Sequence, residues 1–229
     1  MDFTKNQVLY ADIAECIRKQ EPIYYEDEHA ICIQDTYHQM LYCASETKES
    51  AEKLVAAMPD TFSMIVAHDL LTDEAIQKRF HITCTLECYH AMYTKDELPD
   101  ILLPKGYEIR MLQEEHLPIV IQHYSMEDCN DEEYLRPCLE DGMAGVFQGE
   151  TLCAFMGVHE KSSMGILEVL PAYRRLGLAT ALIHKIVVMQ MERGRIPYGE
   201  IVKDNLASIK LQEKAGLEVS KELTYWYFP

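Results

Sequence analysis

The chain has 229 residues, 48% of them apolar and 26% charged, the balance of an ordinary globular protein rather than a disordered one. A net charge of −17 argues against a broad basic face for nucleic acid, so any phosphate the protein holds should sit in a local nest. No apolar run approaches the roughly 20 residues of a membrane span, and MDFTKNQVLY has no apolar signal core, so a cytoplasmic protein without membrane attachment is expected.

In chain order, residues 4–19 read as a helix, and ICIQD (31–35) and QMLYCAS (39–45) as a hairpin. Residues 48–58 come next as a helix, TFSMIVAH (61–68) as a strand, residues 73–80 as a helix and HITCTLECYHAMYT (81–94) as a long strand. LPDILLPK (98–105), with Pro99 and Pro104, reads as a linker. Beyond it, YEIRML (107–112) is a strand, EEHLPIVIQHY (114–124) and DEEYLRPCLEDG (131–142) are helices, and AGVFQ and TLCAFMGVHE form a hairpin around Gly149 and Glu150. SMGILEVL (163–170) is a strand closed by Pro171, residues 174–193 a helix stopped by Gly194, and IPYGEIVK (196–203) a strand. Residues 205–215 form a helix stopped by Gly216, and LEVSKELTYWYF (217–228) ends the chain as a hairpin arm or strand.

All ten glycines fall at Gly106 or later. That shift places a boundary near residues 100–107, between an N-terminal α/β lobe (1–100) and a second α/β domain (107–229). The first lobe repeats the strand and helix rhythm of the second without a glycine loop, and no residue-level repeat accompanies the likeness.

The eight cysteines include no C-x-x-C pair and lie mostly in apolar stretches, which reads as buried thiols in a reducing compartment. His81, Cys84, Cys88 and His90 form the one cluster suggestive of a metal. A strand over 82–94 would hold the two sulfurs about 13 Å apart at about 3.3 Å per residue, so no metal is expected there.

Chemistry concentrates in Val169-Leu170-Pro171-Ala172-Tyr173-Arg174-Arg175-Leu176-Gly177-Leu178-Ala179-Thr180, between a strand and a helix. Gly177 and Ala179 remove bulk where the helix begins, exposing backbone N–H groups beside the positive end of its dipole, and Arg174 and Arg175 add charge. The alternative is that Gly177 serves only close packing of helix on strand.

This run, with Asn205-x-x-Ser208-x-x-Leu211-x-x-Lys214-Ala215-Gly216-Leu217 after the next strand, resembles the GNAT superfamily of acetyl-CoA-dependent N-acyltransferases over about residues 107–229. Within it, IPYGEIVKDNLASIKLQEKAGLE and the Tyr225-Trp226-Tyr227 ending look like the glycine N-acyltransferase branch. The resemblance implies a GNAT-like mixed sheet flanked by helices, preceded by a smaller lobe that reads as a degenerate half of the same kind. It implies acetyl-CoA as co-substrate. Arg174, Arg175, Gly177, Leu178, Ala179 and Thr180 would hold the pyrophosphate, and the backbone of Leu167, Val169 and Leu170 the pantetheine arm. Asn205 would reach the pantetheine as well, or serve only as a helix cap.

Direct acyl transfer needs a base for the ammonium, a polarised thioester carbonyl and a proton for the departing thiolate. Glu200, five residues before Asn205, matches the position where some family members carry a catalytic glutamate, and Glu168 inside an apolar strand is second; either could instead be an edge carboxylate or half of an ion pair. His159 and Glu160 are outside candidates. Many family members carry a tyrosine acid directly after the leucine matching Leu211, but here Gln212 stands there and cannot supply a proton. Water, Tyr198, Tyr225 or Tyr227 would have to.

The expected activity is acetyl transfer to a primary amine of a small molecule or amino acid, by a monomer or homodimer. The alternative, suggested by Gln212, is an acyl-CoA-binding sensor that has lost turnover.

Overall fold

The computed structural model describes residues 1–36, 39–126, 129–159 and 162–228. The chain divides into two compact units, each discontinuous in sequence. The first comprises 1–92, 200–209 and 218–229, and the second 93–199 and 210–217. Residue 229 is not among those described.

In the first unit, helix α1 (Ala11–Arg18) leads into strands β1 (Ile23–Asp27), β2 (Ala30–Asp35) and β3 (Met40–Ser45). Helix α2 (Lys48–Ala57), strand β4 (Met64–Ala67), helix α3 (Leu70–Phe80) and strand β5 (Leu86–Met92) come after them. β2 and β3 form the expected antiparallel hairpin, and β3 and β4 run parallel with α2 as their crossover. Three later strands complete the sheet: β10 (Tyr198–Val202), β11 (Glu218–Val219) and β12 (Thr224–Tyr227). The order is β1-β2-β3-β4-β12-β5-β10, with β11 also on β5. A sequence boundary near 100–107 assigned β12 to the later domain, whereas β12 pairs antiparallel with both β4 and β5. Such long-range pairing leaves no local trace.

Both faces of this sheet are buried. Ile31, Ile33, Tyr42, Val66 and Trp226 pack on one face with Ile13 and Cys16 of α1. Cys32, Leu41, Cys43, Ile65 and Tyr227 pack on the other with Leu54 and Val55 of α2 and Ile76 of α3. Two covered faces explain why β2 and β3 read as continuous apolar runs rather than alternations.

The second unit holds strand β6 (Glu108–Met111), helices α4 (Leu117–His123) and α5 (Glu132–Gly142), and strands β7 (Ala144–Gln148), β8 (Thr151–Val158) and β9 (Met164–Val169). Helix α6 (Leu178–Glu192) comes next, and of helix α7 (Leu206–Lys214) residues 210–214 belong to this unit. β6 to β9 form an antiparallel sheet in that order. Leu117, Val120, Leu135 and Leu139 pack against Phe147, Leu152 and Phe155 on one face, and α6 lies on β7, β8 and β9.

The elements that differ from the sequence expectation include three in the first unit. Residues 4–19 split into a 3₁₀ turn (Phe3–Asn6) and α1. β1 was not anticipated because its IYYED lacks an apolar alternation. The long strand of 81–94 shortens to β5, since α3 ends at His81 in the left-handed conformation and residues 81–85 lead into the strand. Cys84 then packs with one face of the sheet and Cys88 with the other, so the two sulfurs share no ion.

Candidate active site

The site begins with an irregularity in β9. Partners run Ala154 to Val169 and Phe155 to Glu168, then Gly157 to Gly165 and Val158 to Met164. Ile166 and Leu167 therefore oppose Met156 alone, a β-bulge with Ile166 at φ +54°. A β-branched residue with positive φ is a strained conformation, and a bulge re-aims the strand beyond it. The re-aimed segment is Leu167 to Leu170, the stretch expected to meet the pantetheine. Within it, the Leu170 N–H donates to Cys153 O at 2.9 Å and Arg174 Nε donates to Val169 O at 3.1 Å, so those two backbone groups are already engaged.

A 3₁₀ turn (Pro171–Tyr173) carries the chain out of β9. Arg175 at φ +65° and Gly177 at φ +84° then bend it into α6. Gly177 is the N-cap and brings no side chain, and the first turn carries no acidic residue. Helical bonding starts with Ala181 N–H to Gly177 O, which leaves the amides of Leu178, Ala179 and Thr180 ahead of the first helical bond at the positive end of the dipole. The loop consumes 174–177, and for that reason α6 starts four residues later than periodicity suggested.

These residues line a cavity of about 410 Å³ together with Val169, Tyr173, Leu211 and Lys214. Three of its ten lining residues, Arg174, Arg175 and Lys214, are cationic and none is acidic, in a chain of net charge −17. Lys214 was not singled out from sequence. Its i, i+3 spacing from Leu211, which places both on one helix face, was the available signal.

The other candidate residues are spread over both units. Glu168, half-buried beside Val169, has one carboxylate oxygen held by the Ser125 N–H at 3.2 Å and by the Ser125 hydroxyl. Glu200 on β10 falls in the first unit, where its charge is among those that push the buried Tyr42 phenol up, after desolvation. Asn205 is exposed and accepts from the Ser208 N–H at 3.0 Å, a helix cap for α7. Tyr227 is fully buried in the first unit and donates its hydroxyl to Asp73, and burial together with that bond pushes its phenol well up. Burial likewise raises Tyr225, half-buried in the same cluster. Gln212 is 8% exposed, and among the described residues its Oε1 has no hydrogen-bond partner. His159 takes part in a 2.5 Å contact between its Nδ1 and the Tyr134 hydroxyl, and Glu160 lies outside the described residues.

Comparison with known proteins accords with this geometry. Residues 143–227 match the FR47-like protein family. No curated protein sequence matches the chain. Among solved structures, a Drosophila protein is 17% identical, covering 99% of this chain and 93% of its own, with a TM-score of 0.62. A GCN5-related N-acetyltransferase-like protein from Streptococcus suis is 15% identical over 95% and 92% of the two chains, with a TM-score of 0.54. A GNAT-family acetyltransferase from Colwellia psychrerythraea is 10% identical over 100% and 98%, with a TM-score of 0.56. The chain has the GNAT fold that the resemblance implied. Among the described residues no helix is long and apolar enough to cross a membrane.

Proposed function

We propose that the protein is an acetyl-CoA-dependent N-acetyltransferase acting on a primary amine of a small molecule or amino acid, and that it works in the cytoplasm. The observation that carries this is the cationic cavity at the start of α6, set on a GNAT fold. The amides of Leu178, Ala179 and Thr180 with Arg174, Arg175 and Lys214 hold a pyrophosphate. Asn205 keeps its cap, which steadies the first turn of α7. Acetyl-CoA supplies an activated acyl group, so the chain itself must orient the amine and accept its proton.

For that proton we place Glu168 ahead of Glu200. It adjoins Val169, which lines the cavity, and Ser125 fixes its carboxylate with two donors. A positioned base contributes about 10²- to 10⁴-fold in rate. Thiol release over a panel of amines tests the assignment: Glu168→Gln should lower kcat at least about 100-fold while CoA affinity holds within about twofold. Unchanged turnover in that variant would return the role to Glu200.

Gln212 favours a second reading, an acyl-CoA sensor. It is buried next to the cavity-lining Leu211 and has no proton to give a thiolate. Tight CoA binding with no thiol release for any amine would select it.

A further inference from the structure

Three side chains that acyl transfer does not use meet inside the first unit: Asp12 on α1, His68 just after β4, and His90 on β5. None is more than 1% exposed. The Nε2 atom of His68 lies 2.8 and 3.0 Å from the two Asp12 oxygens, and that of His90 lies 3.7 Å from Oδ2. On their far sides, His68 Nδ1 is 2.8 Å from the Cys43 carbonyl oxygen and His90 Nδ1 is 2.7 Å from that of Leu9.

A carbonyl oxygen can only accept, so in each neutral ring the proton sits on Nδ1 and Nε2 presents a lone pair. These two nitrogens and a carboxylate oxygen converge away from water, all within 4.8 Å of one another. A proton joins one nitrogen to one oxygen, whereas a divalent ion can contact all three groups at once. We propose that Asp12, His68 and His90 form a binding site for a divalent transition-metal ion of the Zn²⁺ class.

The donor set supports that class. Two imidazoles with one carboxylate suit zinc and its neighbours, whereas magnesium and calcium favour oxygen alone. Bonds of about 2.0–2.1 Å to a tetrahedral ion place its ligand atoms about 3.3 Å apart; the two nitrogen–oxygen distances here are 2.8 and 3.7 Å, and all three ligand atoms lie within 4.8 Å of one another. Ligating histidines typically donate the other ring N–H to a carbonyl or carboxylate, the arrangement seen at Cys43 and Leu9. The ion would tie α1 to two strands of the sheet. Of the four residues that suggested a metal in the sequence, only His90 belongs to this set.

The test uses the full chain, stripped with chelator and titrated with Zn²⁺ alone by calorimetry, and then zinc-edge X-ray absorption. One ion per chain is expected, with two imidazole nitrogens and oxygen at about 2.0 Å and no sulfur. His90→Gln should weaken affinity more than about tenfold, the loss that even an outer-shell partner brings. His29→Gln, at an exposed histidine 3.2 Å from Glu46, should change nothing. Absence of stoichiometric binding, sulfur in the shell, or unaltered affinity in His90→Gln overturns the proposal and leaves an Asp–His pair sharing a proton. The absorption spectrum reads the unaltered chain, so it decides the matter even where the variant fails to fold.

Discussion

Each unit passes from a strand into a helix, at β4 to α3 in the first and at β9 to α6 in the second, and the two helix ends are finished in opposite ways. Asp69 caps α3, its carboxylate accepting from the Thr72 N–H at 2.8 Å, and Asp73 stands in the first turn. Gly177 caps α6 with no side chain, the first turn has no acid, and two arginines precede it. Both ends carry the same positive dipole. In α3 the protein's own carboxylates answer it and would repel a phosphate. In α6 no side chain answers it, so of these two junctions the second is the one proposed to hold the coenzyme.

Giving α6 the finish of α3 should have the largest effect. Gly177→Asp is expected to lower CoA affinity on the order of 100-fold, since it puts a carboxylate where the pyrophosphate belongs; aspartate tolerates positive φ better than most residues, so the fold should persist by circular dichroism. Removing single cations does less. Arg175→Ala and Lys214→Ala should each weaken CoA about tenfold, the scale of one charged hydrogen bond, and a salt titration should show a shallower slope for both variants.

In the first unit the same logic predicts stability effects without loss of turnover. Tyr227→Phe removes the bond to Asp73 and should cost about 1 kcal/mol in urea melts while thiol release is unchanged. A large drop in kcat at equal stability would instead make Tyr227 the missing acid. The smallest effect concerns how a glycine-free lobe makes its turns. Gln20, Gln39 and His81 adopt positive φ there, where the other unit has glycine at most such positions. His81→Gly should therefore stabilise by about 0.5–1 kcal/mol, relief of left-handed strain offset in part by unfolded-chain entropy, and a lower melting temperature would contradict it.

Legibility in the sequence depended on how local each signal was. The turn at Gly149 and the helix stops at Gly194 and Gly216 depend on neighbouring residues, and the structure places them where the sequence did, whereas 174–177, read as the first turn of a helix, form a loop. β12 lies between β4 and β5 through pairings about 140 to 160 residues away in sequence, which no periodicity encodes. Asp12, His68 and His90 are brought together from three segments of the first unit, so no spacing rule finds them. The Glu168 carboxylate depends on Ser125, in a loop whose residues carry no pattern.

Calorimetric titration of the full chain with CoA decides whether the start of α6 holds the coenzyme. One CoA per chain is expected, with a drop on the order of 100-fold in Gly177→Asp. Two molecules per chain, or unchanged affinity in that variant, would contradict it.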